Sequence, residues 1–237
     1  MPELNKKVKT IGVLGGMGPE STAYFFQRII ELTPGQLDQD HIPIIIYNNP
    51  KIPDRTEAIL KQGENPVPAL LQGISILEQA GSDFICIPCN TVHYYYQELQ
   101  KHAAVPLVNL IDEVVRSVLA EDSNLKRVGL LATPGTIKSR LYQKAFQQHG
   151  IDVITPEDWT LNDLGSAIHR IKGKSKEYGF IQELAGALME REIQAIVLGC
   201  TELSLIRSNL SVNVPIFDSV EILAKKVVNI ALNYETL

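Results

Sequence analysis

The chain repeats itself. Residues 7–16, KVKTIGVLGG, return as residues 124–133, NLKRVGLLAT. AGSDFICIPCNT around Cys89 returns as REIQAIVLGCTE around Cys200, and VPLVNLIDEVV from Val105 returns as VPIFDSVEILA from Val214. The blocks keep their order at offsets of 117 residues (Ile11 to Val128), 111 (Cys89 to Cys200) and 109 (Pro106 to Pro215). Similarity that preserves order at a nearly constant period marks an internal duplication. It restricts the chain to an architecture that can be built twice within 237 residues, each half burying a core of its own.

Short Ile- and Val-rich runs at 11–14, 44–47, 84–87, 128–131 and 195–198 alternate with segments of helical period at 21–32, 67–80, 91–102, 110–120, 137–149, 179–191 and 220–232. Alternation of this kind implies parallel sheets covered by helices. The expected fold is α/β, with two pseudo-symmetric doubly wound parallel-sheet domains and the active site in the cleft between them. Residues 1–106 are expected to form the first lobe and 107–214 the second, with the C-terminal helix 215–237 packing back on the first. Functional groups then emerge at the carboxyl ends of the strands.

Composition narrows the function. A net charge of −5, with acids and bases interleaved, supplies no basic stripe for phosphate backbones or anionic lipid. Nucleic acid and membrane are therefore not expected partners; a small molecule is. The apolar run after the N-terminal basic segment meets Gly15 and Gly16 too early for a secretory signal, and no run approaches membrane-spanning length. Three cysteines, Cys86, Cys89 and Cys200, do not make a disulfide framework and suit a reducing cytoplasm.

Cys89 and Cys200 each stand where a strand gives way to a helix, at equivalent points of the repeat. A thiol facing a helix N-terminus is biased toward the thiolate. One such cysteine reads equally well as an inert buried hydrophobe; two at equivalent strand ends point to chemistry. Cys86 and Cys89 also form a C-x-x-C, but Cys86 lies inside the apolar strand, and His41, His93, His102, His149 and His169 are too scattered to complete a zinc set. Cys86 reads as core, and no metal is expected.

Two thiols opposed across a pseudo-symmetric cleft suit proton transfer at a stereocentre. One removes the Cα proton from one face while the other delivers a proton to the opposite face. No motif provides a cofactor electron sink, so oriented amides and polar side chains must stabilise the carbanion-like transition state. Gly15-Gly16-Met17-Gly18 lacks both the Rossmann spacing and the Walker lysine. Its backbone, at Met17 and Gly18, is expected to approach a small carboxylate. The repeat-equivalent loop Thr133-Pro134-Gly135-Thr136 is expected to hold the other end of the substrate, through its amides or Thr133. Asn90, Thr91 and Thr201 suit helix caps and are placed to bind an α-carboxylate and ammonium as well. Glu202 is either a helix-start acid or a carboxylate that opposes ionisation of Cys200.

These motifs, together with Pro53-Asp54-Arg55-Thr56, Pro88-Cys89-Asn90-Thr91 and Leu198-Gly199-Cys200-Thr201-Glu202-Leu203, resemble the aspartate/glutamate racemase superfamily along essentially the whole chain, and more closely its aspartate racemase branch. The resemblance implies an amino-acid racemase free of pyridoxal phosphate, with Cys89 and Cys200 as its two bases, and suggests a homodimer. It implies that Arg55 binds the side-chain carboxylate of aspartate, which suits a planar guanidinium, and that Lys172, with Lys174 as rival, makes a second basic contact. Glutamate racemases typically carry histidine where Glu202 stands. Ser204 departs from the family's more usual proline.

The competing readings are a broad-specificity or glutamate racemase of the same superfamily, a two-lobed protein that binds an amino acid without turning it over, and a thiol redox protein using Cys86 and Cys89.

Overall fold

The computed structural model describes residues 8–60, 63–173 and 178–236. The first half runs β1 (Ile11–Gly15), α1 (Pro19–Leu32), β2 (Ile44–Asn48), α2 (Arg55–Leu60), α3 (Val67–Gln79), β3 (Phe84–Cys86), α4 (Tyr96–His102) and α5 (Leu110–Glu121). The second runs β4 (Arg127–Ala132), α6 (Pro134–Lys138), α7 (Leu141–Gln147), β5 (Asp152–Ile154), α8 (Leu161–Lys172), α9 (Gly179–Met189), β6 (Ala195–Gly199), α10 (Thr201–Ser204), β7 (Ile216–Asp218) and α11 (Ser219–Ala231). The strands form two parallel sheets, ordered β2-β1-β3 and β5-β4-β6-β7.

The duplication is visible in the register. Ile11 pairs with Phe84, and their counterparts Val128 and Ala195 pair in turn. Leu107 forms only an isolated bridge to Ile85 in the first half, where the second has a full strand, β7, pairing Ile216 with Ile196. The caps repeat as well. The Asn109 side chain accepts from the amides of Ile111 and Asp112 at the start of α5, and Asp218 accepts from Val220 and Glu221 at the start of α11. Each such cap contributes about 1 kcal/mol.

Pleating places Ile11 and Val13 of β1 in a core continuous with the second sheet, α1, α5 and α11. Leu14, on the opposite face, joins Ile74, Leu77 and Ile85 beneath α3. Helix α11 packs on α1 as well as on α5. Arg28 and Tyr24 of α1 bind Glu221 of α11, and the Lys9 amide donates to Ala231 O at 3.0 Å.

Several local expectations need correction. The stretch 137–149 is not one helix: Arg140 takes a left-handed conformation (φ 58°) and separates α6 from α7. Residues Thr91–Tyr95 form a 3-10 turn before α4. Within 215–237, Ile216–Asp218 belong to the second sheet, so only the part from Ser219 onward is the returning helix. Strands β5 and β7 each hold two apolar residues beside an aspartate and so leave no apolar run, unlike the equally short β3.

Candidate active site

Both cysteines leave their strands at the carboxyl ends and are nearly buried, Cys89 at 6% and Cys200 at 3% exposure. They line one cavity of about 250 Å³ together with Met17, Arg55, Asn90, Thr91, Thr133, Lys172, Thr201 and Glu202. That volume lies below the roughly 300–1,000 Å³ of pockets that take drug-sized ligands, as befits a small metabolite. Gly18 does not line the cavity; its Cα instead faces Glu202, and a Cβ there would lie 3.3 Å from Oε1. Lys174 falls outside the described residues.

Strand-to-loop geometry dictates a glycine at the first loop. Gly16 has φ +100°, and a Cβ on it would come within 2.3 Å of the Asn49 backbone. Only glycine accepts both the conformation and the approach. The loop is held by Thr22, whose hydroxyl accepts from the Gly16 amide at 3.0 Å and donates to Gly18 O at 2.9 Å.

Side chains from the two halves meet across the cavity. The Thr91 hydroxyl pairs with those of Thr133 (2.8 Å) and Thr136 (3.0 Å), and Thr133 also caps α6 by accepting from the Thr136 amide. Asn90 makes no cap bond with its side chain. Its Nδ2 donates to Ser219 at 3.0 Å and its Oδ1 accepts from Tyr142 at 2.5 Å, so it joins the halves. Arg55 is 8% exposed. Its Nη1 donates to the carbonyls of Ile52 and Pro53, while its Nε has no partner among the described residues. A buried guanidinium with unused donors is suited to an anion.

Glu202 is 2% exposed and bonds to groups from three parts of the chain. Its Oε2 accepts from the Cys200 thiol at 3.0 Å and from Thr201 at 3.4 Å; its Oε1 accepts from Ser21 at 3.3 Å and faces Lys172 Nζ at 3.7 Å. Burial, and then the Glu202 carboxylate, push the Cys200 thiol well above its usual 9.0. The Lys172 ammonium and the Glu202 amide at the start of α10 pull the other way but are outweighed. Burial works against the ammonium of Lys172, but Glu202, Cys200 and Cys89 together outweigh it and raise its pKa. The remaining cysteine, Cys86, is fully buried, its thiol pushed up by burial and donated to Gly12 O at 3.5 Å.

The model of the Asp/Glu/Hydantoin racemase family matches residues 14–227 of the chain. The chain belongs to that family. Among curated relatives, the broad-specificity amino-acid racemase RacX of Bacillus subtilis (strain 168) is 31% identical over 232 residues, covering 95% of this chain and all of the relative. Among solved structures, the aspartate racemase of Picrophilus torridus superposes with a TM-score of 0.83 at 32% identity, covering 94% of each chain. An aspartate racemase homologue from Pyrococcus horikoshii OT3 superposes with a TM-score of 0.74 at 27% identity, covering 94% of this chain and 99% of that one.

The cavity of this racemase has walls that were not foreseen from its sequence. Asp54, Thr56, Glu57 and Leu60 come from the start and body of α2, and Asn162, Gly165, Ser166, Ile168 and His169 come from α8. Asp54 accepts from the Glu57 amide at 2.9 Å and so starts the turn that buries Arg55. Burial opposes ionisation of Asp54, but that amide, Arg55 and Lys172 outweigh it and lower its pKa. The signal for α8 was present: Leu161, Leu164, Ile168 and Ile171 are all buried and recur at helical spacing.

Proposed function

We propose that this racemase interconverts L- and D-aspartate without pyridoxal phosphate, using Cys89 and Cys200 as its two bases. The observation that carries the reading is that two thiols from repeat-equivalent strand ends line one small cavity together with Arg55 and Lys172. The thiolate of one cysteine takes the Cα proton, forming its S–H bond as the Cα–H bond breaks. The thiol of the other gives its proton to the opposite face of the carbanion. The pair ends with roles exchanged, ready for the reverse direction.

In this scheme Arg55 binds the side-chain carboxylate and Lys172 adds a second positive contact. The loops at Met17–Gly18 and Thr133, with Asn90, Thr91 and Thr201, hold the α-carboxylate and ammonium. Glu202 keeps the proton on Cys200 and fixes Lys172. Burial of Cys89, Cys200, Arg55 and Glu202 strengthens these charge interactions. The similarity to the Picrophilus torridus aspartate racemase supports aspartate as substrate. The similarity to RacX favours a second reading, turnover of a wider set of amino acids. The enzyme is further proposed to act as a homodimer in the cytoplasm, where its thiols stay reduced.

A chiral assay of purified protein, stripped of pyridoxal phosphate, over a panel of L-amino acids tests the proposal. Aspartate turned over fastest supports it. Comparable rates on several amino acids favour the broad reading, and no turnover of any overturns both.

A further inference from the structure

Tyr142 belongs to α7, outside every motif of the sequence, and is completely buried. Its ring lies directly under Gly199, the residue before Cys200: a Cβ on Gly199 would stand 2.9 Å from Tyr142 Cε2. Its hydroxyl donates to Oδ1 of Asn90, the residue after Cys89, at 2.5 Å. One rigid side chain thus spans from the turn carrying one thiol to the turn carrying the other. Its ring stacks on Phe146, with centroids 6.3 Å apart, so it cannot easily swing away.

A second chain of bonds closes the same gap. Asn90 Nδ2 donates to Ser219 at 3.0 Å, next to Asp218, and Asp218 accepts from Ser204 at 2.6 Å. Ser204 ends α10, the turn that begins after Cys200. Asn90 is 2% exposed, so its amide relies on these partners rather than on water. Burial also holds the Tyr142 phenol protonated, which keeps it a donor.

We propose that Tyr142 is a positioning residue that sets the distance between the Cys89 and Cys200 thiols, through its ring under Gly199 and its hydroxyl on Asn90. The inference rests on the two-thiol reading. Removing a Cα proton needs one thiolate within reach of the substrate. Inversion needs both thiols at once, so it is far more sensitive to their separation. A loosened spacer therefore slows inversion more than it slows exchange of the Cα proton with solvent on the same face.

The test is Tyr142→Phe, which keeps the ring and removes the hydroxyl. With L-aspartate in deuterium oxide, or with the amino acid of the panel that the wild type turns over fastest, two rates are followed: inversion, by chiral separation, and deuterium entry into the recovered starting enantiomer. The proposal predicts that inversion falls roughly tenfold to a hundredfold, mainly in kcat, while the ratio of exchange to inversion rises. Ser219→Ala, which removes only the second tie on Asn90, should shift the ratio the same way by less. Unchanged rates in Tyr142→Phe, or inversion and exchange falling in parallel, overturn it. Absence of racemisation in the wild type would instead overturn the racemase reading, and the spacer with it.

Discussion

Cys200 donates its thiol proton to Oε2 of Glu202 across 3.0 Å. Thr91, 111 positions earlier and so the counterpart of Glu202 in the first half, turns its hydroxyl to Thr133 instead. The backbone is duplicated but the charge is not. In the proposed two-thiol mechanism the pair shares one proton, and this carboxylate favours keeping it on Cys200.

Glu202→Gln should therefore alter the pH dependence of one reaction direction more than the other. The Cys200 thiol is raised by burial and by Glu202, so its thiolate appears only as the pH climbs. Removing the carboxylate's charge lowers that pKa. In the direction that uses Cys200 as base, the acidic limb of kcat/KM should move to lower pH. Superimposable profiles in both directions would remove Glu202 from this role.

Arg55→Leu should raise KM for aspartate about tenfold to a hundredfold, the effect of losing a charge-assisted hydrogen bond. Alanine, which has no side-chain carboxylate, should lose much less. Equal losses on both substrates would show that Arg55 shapes the cavity rather than reads the side chain.

His93 predicts how stability responds to acid. The Leu110 amide donates to its Nε2 at 3.0 Å, which leaves the ring proton on Nδ1 to be donated to the carbonyl of Cys89 at 2.9 Å. Burial lowers its pKa below the ordinary 6.5. Above that value the ring is neutral whether the chain is folded or not, and its contribution is fully present. As the pH falls below it, the unfolded chain takes the proton first and stability is lost until the folded pKa is reached. His93→Gln should make the fall in Tm between pH 7 and 5 shallower. An unchanged slope would mean that other groups carry the acid sensitivity.

Gly135 is where α6 meets α2: a Cβ there would sit 2.8 Å from Thr56 Oγ1 and 3.0 Å from its Cα. Gly135→Ala should push α2 and Arg55 outward, cost about 1–3 kcal/mol of stability, and raise KM for aspartate more than it lowers kcat. Wild-type Tm and KM would show that the contact yields freely.

What was legible in the sequence follows from what leaves a periodic trace. The repeat and the β-rich runs gave the two parallel sheets, and the matched cysteines stood at equivalent strand ends because the duplication forced them there. The role of Asn90 left no trace, since a capping asparagine and one bridging the two halves look alike until Tyr142 and Ser219 are seen beside it. Likewise α8, polar between its buried positions, forms no continuous apolar run, although it carries Lys172 and His169. Ser204, conspicuous only as a departure from proline, proves to bond Asp218, the cap of α11.

The two-thiol mechanism is tested most directly by comparing Cys89→Ala and Cys200→Ala with wild type and with Cys86→Ala, measuring aspartate racemisation by chiral separation in deuterium oxide. Both active-site variants should lose racemisation by about 10²–10⁴-fold or more, with Cys86→Ala remaining close to wild type, since its thiol is buried in the sheet away from the cavity. Wild-type racemisation in either Cys89→Ala or Cys200→Ala would contradict the account.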